Sequence, residues 1–184
     1  MRSTSAAALA LLAVTLAASP PGQTTAPNPP LSRSDKPAPG EKKLPWLTFD
    51  AAADRAKKEN KHIIVDVYTT WCGWCKVMDR QTYGNADVAD YLTSNFVLAK
   101  LNGESSAPIH WKGKTMTEKE FARSVGVTGF PTTYFLKPDA AMIGGAPGFI
   151  RPGDFMVYAK YVSTRWYEKG SPQDYLKSLQ QGAQ

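Results

Sequence analysis

Residues 63–76 read IIVDVYTTWCGWCK, and this stretch decides how the rest of the chain is interpreted. Its first six residues are mostly β-branched and apolar, which is typical of a central strand buried on both faces. Asp66 interrupts that apolar run. After Gly73 the sequence lacks glycine and proline as far as Tyr83, which favours a helix over about 72–83. The stretch therefore predicts a buried strand that leads through a short loop into a helix, with Cys72 at the junction.

The chain has two cysteines, Cys72 and Cys75, and they lie about one helical turn apart. A cysteine is a nucleophile only as the thiolate. At the start of a helix, unpaired backbone N–H groups and the positive end of the helix dipole point at the sulfur and favour the anion. The spacing therefore predicts an exposed attacking thiol at Cys72, with a more shielded resolving thiol at Cys75 behind it.

A cysteine pair also occurs in proteins as a structural disulfide or as half of a metal site. Closing so short a loop removes little chain entropy, so a purely structural disulfide gains little. Half of a zinc site needs two more ligands, and His62 and His110 lie on opposite sides of the pair without the usual paired spacing. A copper site of two thiolates and a histidine is a further alternative. We assign no metal ligand, and we expect both histidines to be ordinary surface residues.

The amino-terminal part of the chain does not resemble a packed domain. Residues 1–19 are interpreted as a secretory signal peptide, because Arg2 precedes an alanine-rich apolar stretch that is short for a membrane span. An uncleaved membrane anchor is the alternative. Residues 20–45 are rich in Pro, Ser, Thr and Gly and predict a spacer that does not fold. One folded domain is predicted over 46–184.

The formal net charge is +6, but the longest basic runs are pairs such as Lys42-Lys43. Nucleic-acid binding favours a clustered basic face, so we do not expect a nucleic-acid partner. A mild positive field favours acidic partners or membrane surfaces.

The remaining sequence alternates between helical and strand patterns. Asp50 is the expected N-cap of the first helix, and Thr117 with Glu120 forms a capping box. Further helices are predicted over 49–59, 87–94, 117–125, 153–164 and from 172 onward, and further strands over 96–101, 132–136 and 142–150. This order predicts an α/β fold with a central mixed sheet covered by helices on both faces.

Four features make the chain resemble the thioredoxin family, over roughly 46–179. Residues 64–76 resemble the family's active-site segment, and Asp66 lies where the family keeps a buried carboxylate. Residues 97–102 resemble the next central strand, whose lysine, here Lys100, pairs with that carboxylate. Residues 127–132 resemble the loop that carries a cis-proline, here Pro131, opposite the redox pair. The resemblance implies a thioredoxin fold.

Within the family, the resemblance is closer to exported members. The pattern at 75–78 and 82–88 is similar to periplasmic domains that take electrons from membrane-embedded thiol transporters. Two departures stand out. Trp74 replaces the family's common proline between the cysteines. The stretch between Asn102 and Pro131 is longer than in plain thioredoxin, which leaves the loop 103–116 without an assigned role.

The resemblance implies catalytic roles for four residues. Cys72 attacks a partner's disulfide, and Cys75 resolves the mixed disulfide that results. Asp66, buried and with a raised pKa, takes the proton of Cys75 through water. Lys100 pairs with Asp66.

The resemblance also implies a substrate-binding surface around the cysteines. Trp71, Trp74 and Phe130 form an apolar rim for a bound chain, with Gly73 between the cysteines. Pro131 is expected to be cis and to expose the backbone of Phe130 for pairing with that chain. By contrast, Trp166 and Tyr167 are expected to be packing residues.

The expected function is a protein thiol-disulfide oxidoreductase that needs no cofactor beyond its own cysteine pair. Strongly oxidising sites often have a histidine between the two cysteines, whereas this chain has Gly73 and Trp74 there. This difference and the carboxylate of Asp66 favour a reductant or electron carrier over an oxidase or isomerase. The expected partners are protein disulfides and a membrane thiol reductant. The protein is expected to be a periplasmic monomer.

Overall fold

The computed structural model describes residues 42–181. The predicted signal peptide and residues 20–41 of the predicted spacer lie outside the described residues. The predicted domain boundary at Trp46 falls inside the packed chain, because the Leu44 side chain is already buried. None of the helices within 42–181 combines the length and the apolar character that crossing a membrane requires.

Six helices and six strands make up the regular structure of the described chain, with one π-helical turn and one 3₁₀ turn. In chain order they are α1 (Phe49–Glu59), β1 (His62–Tyr68), α2 (Gly73–Met78), the π turn (Asp79–Tyr83), α3 (Ala86–Asn95), β2 (Phe96–Asn102), β3 (Pro108–Trp111), β4 (Lys114–Thr117), α4 (Glu118–Ser124), β5 (Thr132–Leu136), β6 (Met142–Pro147), α5 (Pro152–Ser163), the 3₁₀ turn (Trp166–Glu168) and α6 (Pro172–Gln181).

The four longer strands form one sheet in the order β2-β1-β5-β6. β1 pairs with β2 in parallel and with β5 in antiparallel, and β5 pairs with β6 in antiparallel. The mixed central sheet with helical cover confirms the predicted α/β fold class. β1 is central and fully buried up to its last residue, as its apolar sequence predicted.

The core has two halves, one on each face of the sheet. Ile64 belongs to the half that is covered by α2, α3 and α5, whereas Val65 belongs to the half that lies against α1 and α4. Successive side chains of a strand point to opposite faces, so Asp66 faces the same way as Ile64. The carboxylate therefore points towards the side of the sheet on which α2 and the π turn lie.

The two edges of the sheet differ. At the β2 edge, Leu47 forms a parallel bridge with Ala99: its N–H donates to the Leu98 carbonyl at 2.9 Å, and its carbonyl accepts from the Lys100 N–H at 3.0 Å. β6 forms the other edge and has no outer strand partner within 42–181. One edge is therefore covered by backbone, and the other is not.

Two local predictions need correction, and a third is confirmed. The N-cap of α1 is Thr48, not Asp50; Asp50 lies in the first turn, where its carboxylate binds the backbone N–H and ring of His110. The helix that begins after Cys72 is not one α-helix, because it changes to π geometry over Asp79–Tyr83. The capping box of Thr117 and Glu120 is confirmed.

The loop 103–116 contains a hairpin that the sequence analysis missed. β3 and β4 pair through a two-residue turn, Lys112-Gly113, in which both residues have positive φ (51° and 74°). This backbone suits the tight hairpin turns that favour glycine. Ile109 is buried, and the Trp111 ring lies 4.9 Å from that of Phe121. The insertion thus extends the half of the core that contains α1 and α4.

Candidate redox site

Four chain segments meet at one end of the strands of the sheet. β1 and β2 are parallel and end there, β5 begins there because Val67 pairs with Thr132, and β6 ends there because Thr132 pairs with Pro147. The loop with the cysteines, the loop with Pro131 and the loop after Pro147 are therefore neighbours. The fold brings together the cysteine loop and the Pro131 loop, which the sequence analysis had singled out separately, and adds the loop after Pro147.

Cys72 and Cys75 form a disulfide, with their Cα atoms 5.3 Å apart. Cys72 is the N-cap of α2, and its Sγ accepts a hydrogen bond from the Cys75 N–H at 3.0 Å. The predicted position at a helix start is confirmed. A backbone donor and a helix N-terminus both favour negative charge on the Cys72 sulfur once the disulfide is reduced.

The predicted exposure of Cys72 is wrong for this disulfide form. Cys72 is 3% exposed and Cys75 is 4% exposed, so both residues are buried. Cys75 is one of the buried residues of α2, and the disulfide ties the Cys72 sulfur to it. In the disulfide form, a partner therefore has little direct access to the pair.

Asp66 is buried on the inner side of the site. It is 2% exposed, and its Oδ1 has no hydrogen-bond partner among the described residues. Burial raises the pKa of Asp66, Lys100 opposes the rise and Asp79 adds to it, and the net result is a shift from 3.8 to about 7. A carboxyl group with such a pKa can both hold and release a proton near neutral pH.

Lys100 is shared between two carboxylates. Its Nζ lies 3.5 Å from Asp66 Oδ2, which is the predicted ion pair, but it donates to both oxygens of Asp79 at 2.6 and 2.7 Å. Asp79 is thus the nearer partner, and the sequence analysis missed it. Its only signal in the sequence is its place four residues after Cys75, about one helical turn further on.

Tyr83 is a buried neighbour of Asp66 and lies in the same π turn as Asp79. The Tyr83 ring is 2% exposed, and its hydroxyl lies 3.1 Å from the hydroxyl of Thr133, which pairs with Asp66 across β1 and β5. Burial, followed by the charge of Asp66, raises the pKa of Tyr83 well above its usual value, so the hydroxyl stays protonated.

A surface cavity of about 310 Å³ reaches the carboxylate and lysine cluster. Asp79 and Lys100 lie in its wall together with Trp46 and Tyr83, and Lys42 and Lys43 line it from the amino-terminal segment. The Lys100 ammonium also lies 5.3 Å from the Trp46 ring centroid, where the aromatic face attracts it. The Lys100–Asp79 pair therefore borders solvent, whereas Asp66 lies behind it.

Trp71, Trp74 and Phe130 are the three side chains that the resemblance implies as an apolar rim, and the structure brings the Trp71 and Phe130 rings together. Trp71 is 66% exposed, its Nε1 donates to Glu104 at 2.9 Å, and its ring meets that of Phe130 edge-on at 6.0 Å. Gly103 permits this arrangement, because a Cβ there would lie 2.5 Å from the Phe130 ring. The Phe130–Pro131 peptide bond is cis.

On the other side of the cysteines, the Trp74 ring packs against Phe149 at 5.5 Å. Phe149 belongs to the loop that follows β6, and the sequence analysis did not select it. It was missed because its contact depends on the sheet pairing that brings residues 147–150 beside α2.

The histidines lie away from the cysteine pair. His110 is exposed, as predicted, and binds Asp50. The prediction of a surface residue is wrong for His62, which is 8% exposed and forms a hydrogen bond with the Tyr167 hydroxyl at 2.9 Å. Burial lowers the pKa of His62. Within 42–181, no three His, Cys, Asp or Glu side chains come close enough to hold a metal ion together.

The predicted packing role of the carboxy-terminal aromatic residues is confirmed. The Trp166 ring lies 5.5 Å from that of Tyr175, and the Tyr167 ring lies 5.6 Å from His62.

Comparison with known proteins gives a consistent result. The model of a family described as a thioredoxin-like domain matches residues 49–163. An uncharacterised protein of Caenorhabditis elegans is 29% identical over 149 residues, or 71% of this chain and 20% of that protein. The thiol:disulfide interchange protein DsbD of Pseudoalteromonas atlantica is 27% identical over 116 residues, or 62% of this chain and 18% of that protein.

The chain thus spans about a fifth of the length of each of these two relatives. Among solved structures, a thioredoxin-fold protein from Helicobacter pylori superimposes with a TM-score of 0.56 at 18% identity. The superposition covers 66% of this chain and 81% of that one, and at this identity it shows the fold alone.

Proposed function

Because the chain belongs to the family of thioredoxin-like domains, we propose that its Cys72–Cys75 pair exchanges electrons with protein disulfides. One observation carries the proposal: the pair lies at the start of α2, with a buried carboxyl group of pKa about 7 in the adjacent strand. Such a carboxyl group has no packing benefit of its own, and a proton acceptor at this place has a clear use.

In the proposed reaction, the Cys72 thiolate attacks one sulfur of a partner disulfide. A bond forms between Cys72 and that sulfur, and the partner's other sulfur leaves as a thiolate and takes a proton. The Cys75 thiolate then attacks Cys72 Sγ, which closes the Cys72–Cys75 disulfide and releases the second partner sulfur. Two electrons pass to the partner, and the pair is oxidised.

Asp66 serves this sequence as the proton acceptor for Cys75. Near neutral pH a carboxyl group of pKa about 7 is partly ionised, so it accepts the thiol proton as Cys75 becomes the attacking thiolate. Lys100 and Asp79 then connect Asp66 with the solvent-filled cavity, where the proton can leave.

Reduction also restores access to Cys72. Once the bond to Cys75 is broken, the Cys72 side chain is free to turn towards the rim, between Trp71 and Trp74. The low exposure of the cysteines then belongs to the oxidised form that each reaction leaves behind. In the reduced form, contact with the apolar rim brings the next partner to the Cys72 sulfur.

We favour net reduction over oxidation. The buried charge of an ionised Asp66 repels a resident thiolate, and a less stable thiolate makes the dithiol a better electron donor. Location in the periplasm and recharging by a membrane thiol reductant complete the proposal. They are supported by the signal-like residues 1–19 and by the similarity to DsbD, which its name describes as a thiol:disulfide interchange protein.

Oxidation is the second candidate, and one contact favours it. The Cys75 N–H donates to Cys72 Sγ at 3.0 Å, and stabilising that sulfur as a thiolate makes the disulfide a stronger oxidant. The redox potential decides between the two: a value near about −270 mV indicates a reductant, and one near about −120 mV an oxidant.

Reduction of insulin by the dithiothreitol-recharged protein tests the activity. We expect the wild type to precipitate insulin chains faster than dithiothreitol alone, and Cys72→Ser to lose the acceleration completely. Cys75→Ser is the matched variant, since it retains the attacking thiol and is expected to accumulate a mixed disulfide. Equal rates for wild type and Cys72→Ser would overturn the proposal.

A further inference from the structure

The unpaired edge of the sheet borders a depression whose lining is mostly apolar but includes Asp154 and Gln173. Along one side of it lie Gly145, Ala146 and Pro147 of β6, and on the other side lie α5 and α6. The cavity measures about 410 Å³. A second cavity of about 250 Å³ shares Tyr158 and Tyr161 with it and extends it along β6. We call the two together the β6–α6 groove.

The outer wall of the groove is not part of the matched family domain, which ends at residue 163. The wall is α6, which is fixed by Tyr175: this side chain is 7% exposed and packs on Tyr161 at 5.8 Å. The Tyr161 hydroxyl donates to the Gly170 carbonyl at 2.8 Å and so holds the connection between α5 and α6. The outer wall of the groove is therefore held in place, and it lies beyond the matched residues 49–163.

Leu176 of α6 lines the groove and is 43% exposed. Leu179 lies one turn further along α6 and is 45% exposed, but it does not line either cavity. An exposed leucine alone needs no explanation. Leu176 differs from Leu179 because it faces a concave apolar surface, which is the usual setting for a bound apolar side chain.

The groove is continuous with the redox site. Phe149 lines one end of it, and the same ring packs against Trp74, the residue between the two cysteines and next to Cys75. A chain that lies over Trp74 can therefore continue past Phe149 into the groove without leaving the protein surface. The unpartnered edge of β6 runs beside that path and can pair with an extended backbone.

We propose that the β6–α6 groove binds an extended apolar segment of the disulfide-bearing substrate protein, next to the cysteine that Cys72 attacks. This inference rests on the proposed function. Tyr158, Phe149 and Leu176 fit aromatic and large aliphatic side chains, which gain the most from burial between such groups. The continuity with Trp74 selects this occupant, because a substrate chain must already lie at the cysteines.

Two short synthetic peptides test the proposal. Each carries one cysteine in a mixed disulfide with thionitrobenzoate; one has Leu-Phe-Leu on both sides of the cysteine, and the other has Ser-Gly-Ser. The reduced full chain attacks the cysteine sulfur and releases coloured thionitrobenzoate. We expect kcat/KM of the wild type to be about tenfold higher for the apolar peptide, as burial of one large side chain predicts.

The decisive comparison is Leu176→Glu against Leu179→Glu. We expect the preference for the apolar peptide to fall about tenfold in Leu176→Glu and to stay unchanged in Leu179→Glu. Reduction of dithiobisnitrobenzoate, which is too small to reach the groove, should be equal in all three proteins. An undiminished preference in Leu176→Glu overturns the proposal. Failure of the wild type to reduce any of these disulfides overturns the proposed function instead.

Two further results would assign the groove to another occupant and so contradict the proposal. One is self-association of the wild type that Leu176→Glu abolishes in sedimentation, which would indicate a second copy of this chain. The other is inhibition of apolar-peptide reduction by a synthetic peptide of residues 20–41 in wild type and Leu179→Glu but not in Leu176→Glu. That result would indicate the chain's own Pro-rich segment.

Discussion

Lys100 donates to both carboxylate oxygens of Asp79, at 2.6 and 2.7 Å, and approaches Asp66 only to 3.5 Å. Lys100 is the one lysine of the described residues that contacts the buried Asp66. Its closer partner, however, is Asp79. An acid deprived of its counter-charge holds its proton more tightly. Burial keeps Asp66 protonated at a pH at which an ordinary aspartate is ionised, and Asp79 adds to this effect through its own charge and by binding Lys100.

The first prediction concerns Asp79. In Asp79→Asn, Lys100 is free to pair with Asp66 and one neighbouring negative charge is lost, so the pKa of Asp66 falls below its wild-type value of about 7. The carboxyl carbon shift of Asp66, followed by NMR over a pH series, measures this change. Asp90→Asn is the control, since Asp90 pairs with Lys42 at the surface. An unchanged Asp66 titration in Asp79→Asn would show that the Asp79 contact has no electrostatic effect.

The second prediction concerns the pH dependence of stability. The folded state holds the Asp66 proton up to about pH 7, whereas the unfolded chain releases it near 3.8. The free energy of unfolding of the wild type therefore decreases, through this group, as pH rises from about 4 to about 7, and changes no further above that.

Asp66→Asn removes that cost. We expect the oxidised variant to be more stable than the wild type at pH 8, on the order of 2–4 kcal/mol, with the difference disappearing towards pH 4. Guanidinium unfolding at several pH values measures it. The same variant should reduce insulin more slowly, because Cys75 loses its proton acceptor. A stability gain that is independent of pH would contradict the assigned pKa.

The third prediction concerns Gly103. A Cβ at this position would lie 2.5 Å from the Phe130 ring, so Gly103→Ala forces the ring out of its contact with Trp71. We expect a loss of about 1–3 kcal/mol in stability and a higher KM for insulin. Gly129→Ala is the matched control in the adjoining loop, where no atom lies within 4 Å of the added Cβ. Equal effects of the two substitutions would argue against a defined position of Phe130.

The fourth prediction concerns Trp71, the most exposed large apolar side chain of the described chain. Trp71→Ala removes the surface that we expect partners to contact, and we predict a loss of about tenfold or more in kcat/KM for insulin. Glu104→Gln weakens the hydrogen bond that orients the indole, and a smaller loss is expected. Reduction of dithiobisnitrobenzoate should change little in both. A parallel loss with this small disulfide would place Trp71 in the chemistry rather than in partner binding.

Local sequence signals predicted the frame of the site well. The apolar run around Asp66 reads as a central strand because only a strand buried on both faces tolerates so few polar residues. Cys72 was placed at a helix start because the residues after Gly73 permit a helix and those before it do not. These features depend on neighbours in the sequence, and the structure confirms them.

The parts that were missed depend on contacts between distant segments. Asp79 gains its role only because the π turn directs it to Lys100, and Phe149 only because sheet pairing brings its loop beside Trp74. The hairpin of β3 and β4 has few buried residues, so its strands show little of the alternation that identifies a strand. Cys72 is buried together with its disulfide partner Cys75, and the spacing of two cysteines does not indicate which way the pair faces.

The bridge between Leu47 and Ala99 has a consequence for how copies of this protein can meet. A fibre that grows by pairing of sheet edges requires two free edge strands in every molecule, one to pair with the preceding molecule and one to pair with the next. In the four-stranded sheet of residues 42–181, Leu47 bridges the β2 side, whereas β6 has no strand beside it. Two molecules that join through β6 would complete a closed pair, because neither then offers a further template for extension.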